Sequence, residues 1–371
     1  MPPEKLKNCQ ITNPAAAALE ACEDLMLCIL ARLPVKSICR FKSVCKPWNH
    51  LLSTREFVKM QFKLSTESKN HSFLVHNMRG NNNTSVFNIE SSEKKAKILD
   101  HPFDYTGVWI GIVGCCRGLV CTRRGKGLVL WNPAMNLYKT VSPYKDYGDD
   151  FKMSLGFGYD AEGDDFKVVR IVWLKKKRRF GMCISWVEVY SANSDSWTTI
   201  DPGLFSELSI SWINNRVTVN GNPCWVGRND VIKDLLIIRF DMSKLVFNIV
   251  TLSNLDYNKA KQDIEFVDLN GSLGALVVTW KNRWENIERI EYVDNWVYDD
   301  GEQIWTKSHS VPIEVKMIRV LRCLKDGRVL GMHPKSAYNF NLPYLLKLIE
   351  PKKKDVFNSE TKCVKGLFNV H

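Results

Sequence analysis

The sequence predicts an α+β chain by content. An N-terminal three-helix unit is followed by a mainly antiparallel all-β repeat domain, propeller-like with about six blades. A twisted β-sandwich is the alternative for the second part. Three observations carry this. Apolar residues recur at helical spacing between residues 19 and 62. From about residue 70, aromatic-rich strand pairs recur along the chain. Glycine-centred hairpin turns recur between them, almost in step.

Residues 1–18 read as a flexible leader, with Pro2, Pro3, Pro14 and an alanine run. In the helical unit, 19–62, Leu25, Met26, Ile29, Leu30 and Leu33 fall on one helical stripe. Glu23 and Asp24 precede them, where negative charge suits a helix N-terminus. Pro34 ends that helix, since it disfavours the helical region for Leu33 and donates no backbone hydrogen bond. A second helix is expected from Val35 to Cys45, a turn at Pro47, and a third helix from near Ser53. So small a unit rarely builds a sufficient core alone. Its first helix is apolar nearly all round and needs cover on more than one side, from the rest of the chain or from a second protein.

The β domain is expected over 70–371. Its strand pairs include Leu128–Trp131 with Tyr138–Val141, Val187–Ser191 with Ser196–Ile200, Leu236–Asp241 with Phe247, and Ile290–Tyr298 with Ile304–Thr306. Gly118, Gly163, Gly221, Gly271 and Gly327 mark the turns. Asn-Gly and Asp-Gly between apolar runs are strong hairpin signals, because tight hairpins need positive φ. The turn glycines advance by 45, 58, 50 and 56 residues. The strand markers Val86, Trp131, Val189, Arg239, Val297 and Leu345 advance by 45, 58, 50, 58 and 48. Two features in lockstep argue for repeated blades. A late strand at 365–370, pairing with an N-terminal one, is expected to close the ring.

Composition excludes several classes. The 371 residues are 45% hydrophobic and 25% charged, the balance of a globular chain and not of a disordered, collagenous or rod-like one. Apolar runs such as Leu235 to Ile238 are too short to span a bilayer, and neither a secretory signal nor a membrane anchor is expected. The twelve cysteines, among them Cys28, Cys39, Cys45, Cys121, Cys183 and Cys224, read as small buried hydrophobes in a reducing compartment. No C-x-x-C is present, so no metal is expected. No cofactor or catalytic residue is expected either. Gly156-x-Gly158-x-x-Ala161 matches a dinucleotide fingerprint, but an acidic turn and a strand follow it where a helix N-terminus is required. The net charge is +12, from 52 Lys and Arg against 40 Asp and Glu, which suits an acidic partner without naming one. Lys175, Lys176, Lys177, Arg178 and Arg179 read as a solvated hairpin loop and a candidate nuclear import signal. No aromatic platform accompanies them, which disfavours nucleic acid.

Glu23-Asp24-Leu25, Ile29 to Ser37, Arg40 to Lys46 and Trp48 together resemble an F-box in the version common among plant F-box proteins. The resemblance implies a three-helix F-box that docks on a Skp-type adaptor and, through it, a cullin scaffold. It implies that Leu25, Ile29, Leu30, Leu33, Pro34, Val35, Ile38, Phe41, Val44, Cys45 and Trp48 share the work of core and adaptor interface. Ala21-Cys22 stand where the family has Leu-Pro, a departure expected to touch affinity more than fold. Trp131-Asn132-Pro133, Gly156 to Asp160 followed by Phe166 to Val169, and the Val187-to-Trp197 strand pair resemble the F-box-associated domain of the same proteins, intermittently over about residues 100–310. That implies a β domain that binds an unknown target protein. The expected function is a non-catalytic substrate-recognition subunit of a Skp–cullin–F-box ubiquitin ligase, cytoplasmic and/or nuclear. The alternative is a β-propeller ligand- or glycan-binding protein with a degenerate F-box.

Overall fold

The computed structural model describes residues 25–67, strands within 72–99, then 110–145, 151–174, 184–203, 205, 210–229, 234–258, 261–269, 271–281, 290–313 and strands within 319–349. Ala21-Cys22, the basic run 175–179 and the expected closing strand 365–370 lie outside the described residues. The chain divides into two compact units with the boundary between Lys69 and Asn70.

The first unit is helical: α1 (residues 25–30), α2 (Val35–Lys42), α3 (Lys46–Leu51) and α4 (Arg55–Glu67). Pro34 caps α2, and its carbonyl accepts from Ser37 N at 2.8 Å and Ile38 N at 3.2 Å. Four helical segments thus stand where three were expected. The added one, α3, begins with Pro47 in its first turn, where the missing N–H would lack an intrahelical partner anyway. Thr54 opens α4: its hydroxyl accepts from Phe57 N at 3.3 Å and donates to Leu51 O at 2.8 Å.

Among the described residues the second unit forms six antiparallel sheets in chain order. Its strands are β1 (Ser72–His76), β2 (Thr84–Asn88), β3 (Lys97–Leu99), β4 (Ile110–Cys116), β5 (Leu119–Arg124), β6 (Gly127–Asn132) and β7 (Leu137–Thr140). Then come β8 (Phe151–Asp160), β9 (Asp165–Leu174), β10 (Ile184–Ser191), β11 (Ser196–Ile200), β12 (Ile210–Val219), β13 (Asn222–Asn229), β14 (Leu235–Asp241) and β15 (Val246–Thr251). The last are β16 (Gln262–Leu269), β17 (Ser272–Trp280), β18 (Ile290–Asp299), β19 (Ile304–Pro312), β20 (Arg319–Cys323), β21 (Val329–Met332) and β22 (Leu346–Ile349). Among the described residues four sheets have four strands, and the first and last have three. Separate small sheets, not two large ones, set the sandwich alternative aside. Neighbouring sheets meet near their first strands: β4 against β8, β8 against β12 and β13, β12 against β16, and β17 against β20. This is the propeller-like arrangement, with the core divided into layers between consecutive sheets.

The turns follow two designs. Arg117-Gly118 and Asn220-Gly221 are two-residue turns with both residues at positive φ, 47° and 77°, 48° and 83°. The other design has four residues. In three copies an Asn or Asp at the end of one strand accepts two backbone N–H groups: Asn132 from Ala134 and Met135, Asp241 from Ser243 and Lys244, Asp299 from Gly301 and Glu302. The positive φ then falls on Asn136, Leu245 and Gln303. The turn at 161–164 follows this second design. There Asp164 takes the positive φ of 51°, not Gly163, which the sequence had marked.

Side chains lock sheet to sheet. Asp160 accepts from Glu162 N, Gly163 N, Lys167 Nζ and Ser243 Oγ, while Lys167 also donates to Met242 O at 3.0 Å. Burial alone raises the Asp160 pKa. The bonds from Gly163, Lys167 and Ser243, with the Lys167 charge, outweigh it and bring the pKa down to about 2. The buried pair Arg170–Glu188 joins β9 to β10, and Arg170 also reaches Lys145 O at 3.0 Å and lies over the Tyr144 ring.

Candidate functional site

The helical unit builds a small core and leaves an apolar remainder outside it. Leu30, Ala31, Ile38, Leu52 and Phe57 are buried together, with Leu33, Phe41, Trp48, Met60 and Leu64 packed around them. The Phe41 and Trp48 rings meet edge to face with centroids 5.4 Å apart. Helical spacing explains the choice. Leu27 and Ala31 share one side of the first turns, and the Ala31 N–H bonds the Leu27 carbonyl at 2.8 Å. Leu25 and Ile29, four apart, share another side and stay 62% and 56% exposed. Val44, just past α2, is 66% exposed, and Val58 on α4 is 52% exposed.

The eleven residues taken together in the sequence therefore divide. Leu30 and Ile38 are core. Leu33, Val35, Phe41 and Trp48 are half-buried. Leu25, Ile29, Pro34, Val44 and Cys45 are exposed. Val58 joins the exposed apolar set, and its signal in the sequence is an apolar residue between Phe57, which faces the core, and the exposed Lys59. Burial was expected of the cysteines here, but Cys28 and Cys45 are exposed and Cys39 is half-buried. Cys28 lies on α1 beside the exposed Ile29, and Cys45 is the extended residue ahead of α3. In the β unit Cys121 and Cys224 are buried as expected.

Among the described residues no group of three or more His, Cys, Asp and Glu is placed to hold a metal ion. The glycines of the apparent dinucleotide fingerprint lie within β8. A side chain at Gly156 would run into the Trp225 indole, and one at Gly158 into the Gly221 carbonyl. Their role is close approach between sheets, and Tyr159 N bonds Gly221 O at 2.9 Å. Of the aromatics expected to fill cores between sheets, Trp131, Tyr190, Trp225 and Trp305 are buried and Trp197 is half-buried. No described helix is long and apolar enough to cross a membrane.

Comparison with known proteins agrees with this division. Residues 22–60 match the F-box domain, and residues 52–326 match the F-box associated beta propeller domain. The chain is similar to F-box protein At4g22390 of Arabidopsis thaliana, 26% identical over 349 residues that cover 85% of this chain and 81% of that one. It is also similar to F-box/kelch-repeat protein At3g23880 of the same plant, 27% identical over 351 residues, 88% of each chain. Among solved structures, the Dos1 propeller aligns with a TM-score of 0.35 and 10% identity over 71% of this chain and 63% of its own.

Proposed function

Because the chain belongs to the F-box proteins whose β domain is an F-box associated beta propeller domain, we propose that it is the substrate-recognition subunit of a Skp–cullin–F-box ubiquitin ligase. The helical unit holds a Skp-type adaptor and, through it, a cullin scaffold. The β unit holds a target protein. No side chain of this chain need do chemistry, because keeping the target beside a ubiquitin-conjugating enzyme raises its effective concentration. Such a receptor works in the cytoplasm or the nucleus.

The observation that supports the reading is the apolar remainder of the helical unit. Leu25, Ile29 and Val44 stay exposed on a unit whose core is already filled by Leu30, Ile38, Leu52 and Phe57. Covering such a side chain is worth roughly 1.5–3 kcal/mol, and three together suit a stable docking contact.

The test is co-purification of the full chain with a Skp-type adaptor, for wild type, Ile29→Arg and Leu30→Arg. Ile29→Arg is expected to keep its helical circular dichroism and lose the adaptor. Leu30→Arg puts a charge into the core and is expected to melt the helical unit as well. Adaptor capture by Ile29→Arg at the wild-type level would remove Ile29 from the interface.

A further inference from the structure

We propose that the end of the β unit carrying the β5–β6 turn takes an acidic segment of a target protein; the proposal rests on the receptor reading above and adds the face and its chemistry. The two ends of this unit differ in construction. At one end every described connection has two or four residues: 117–118, 133–136, 161–164, 192–195, 220–221, 242–245 and 300–303. These turns are tied to one another. Ser243 Oγ donates to Asp160, Asn193 N to Asp165 at 3.0 Å, and Arg239 pairs with Asp300 at 2.7 Å. Those contacts restrain the turns of that end. At the other end lie the long connections 141–150, 201–209 and 252–261.

Charge differs locally too, although Arg117 and Lys244 lie at the tied end and Asp201, Asp234 and Asp256 at the other. At the tied end, residues 160–165 carry four carboxylates and residues 299–302 three, with no cation in either stretch. The whole chain is nevertheless +12. At the opposite end, Arg123, Arg124 and Lys126 fall within four positions, Lys145 lies in the connection that follows β7, and Lys152 stands at the start of β8. Lys126, Lys145 and Lys152 are exposed, and the two arginines are half-buried. Arg123 Nε donates to Gly125 O at 2.8 Å, which fixes the tip of the turn. No acid occurs among residues 119–131, 141–145 and 151–154.

Exposed cations act weakly one by one and together steer and orient an opposite charge. A carboxylate-rich peptide segment is the partner such a face admits, while a basic one is repelled. The face has no exposed aromatic row among its described residues on which bases could stack, which favours protein over single-stranded nucleic acid.

The experiment uses the full chain and fluorescence anisotropy with three probes: a labelled glutamate–glycine peptide, its lysine–glycine counterpart and a short single-stranded DNA. The expected result is binding of the glutamate peptide that weakens with salt and falls about tenfold in Arg123→Glu/Arg124→Glu/Lys126→Glu. Glu302→Lys, at the tied end, should leave it unchanged. Equal binding by the triple variant, preference for the lysine peptide, or DNA bound in preference to the glutamate peptide would each overturn the proposal. If the triple variant fails to fold by near-ultraviolet circular dichroism, Lys126→Glu alone, on the exposed tip, must still weaken the peptide measurably. Adaptor capture is measured on the same preparations. Its absence in wild type counts against the receptor reading, and loss of peptide binding alone does not.

Discussion

Gly158 tolerates no side chain, because a Cβ there would meet the backbone carbonyl of Gly221 on the neighbouring sheet. A carbonyl that already accepts the Tyr159 N–H cannot swing away cheaply. Gly158→Ala should therefore destabilise the β unit by about 3 kcal/mol, read as a lower urea midpoint. An unchanged midpoint would mean that the two sheets have slack at this point. In the sequence this glycine was legible only as something other than a phosphate loop, since the required helix was missing. What it does depends on a residue more than sixty positions away, and no local pattern reports that. The pair Ile29 and Leu30 makes the same point at the adaptor surface. Both are apolar, and only the packing of α1 against Ile38, Leu52 and Phe57 decides that Leu30 goes in and Ile29 stays out.

Within one hairpin the sequence was far more readable. In four sheets the third and fourth strands pair two aromatics directly: Trp131 with Tyr138, Tyr190 with Trp197, Phe240 with Phe247, Tyr298 with Trp305. Such a pair sits seven residues apart across a four-residue turn, so its repetition shows in the chain. Its second task was hidden. Trp197 Nε1 donates to Ser142 O at 2.8 Å, just past the outer strand of the preceding sheet, and Trp305 Nε1 donates to Thr251 O at 3.0 Å, the last residue of such a strand. In β15 the partner is Phe247, which has no N–H and instead stacks on Phe205 at 4.2 Å. Trp197→Phe and Trp305→Phe keep an aromatic ring and remove the donor. Each should cost about 1–2 kcal/mol, and the double variant the sum, since the two bonds join different sheets. Denaturant titration of the single and double variants checks this, and a double variant as stable as wild type would show that the bonds carry no weight. The helical elements were less legible, because Pro47 reads equally as a turn or as the first turn of α3.

At the scale of the whole β unit, the number of sheets followed from two ladders of residues, whereas how the sheets lock did not. Asp160 shows why. It ends β8, yet its partner Ser243 belongs to the turn after β14. Its pKa lies near 2, below the ordinary 3.8, so its ionised form stabilises the folded state. That contribution is complete above about pH 5 and is lost as the pH falls toward 2. The shift corresponds to roughly 2 kcal/mol for this buried group. Asp160→Asn should be less stable than wild type at neutral pH, and the gap should narrow between about pH 5 and pH 2 when urea midpoints are compared. A constant gap would rule out this linkage. The order of the sheets has a further consequence, which concerns synthesis. Every described strand pairs only with a strand next to it in the chain. No hydrogen-bonded strand therefore has to wait for a distant partner, and each sheet can complete itself as soon as its own residues leave the ribosome. The third sheet needs nothing beyond Ile200. Among the described strands, a nascent chain therefore holds at most one incomplete sheet at a time, which limits its opportunity to mispair before the last blade arrives.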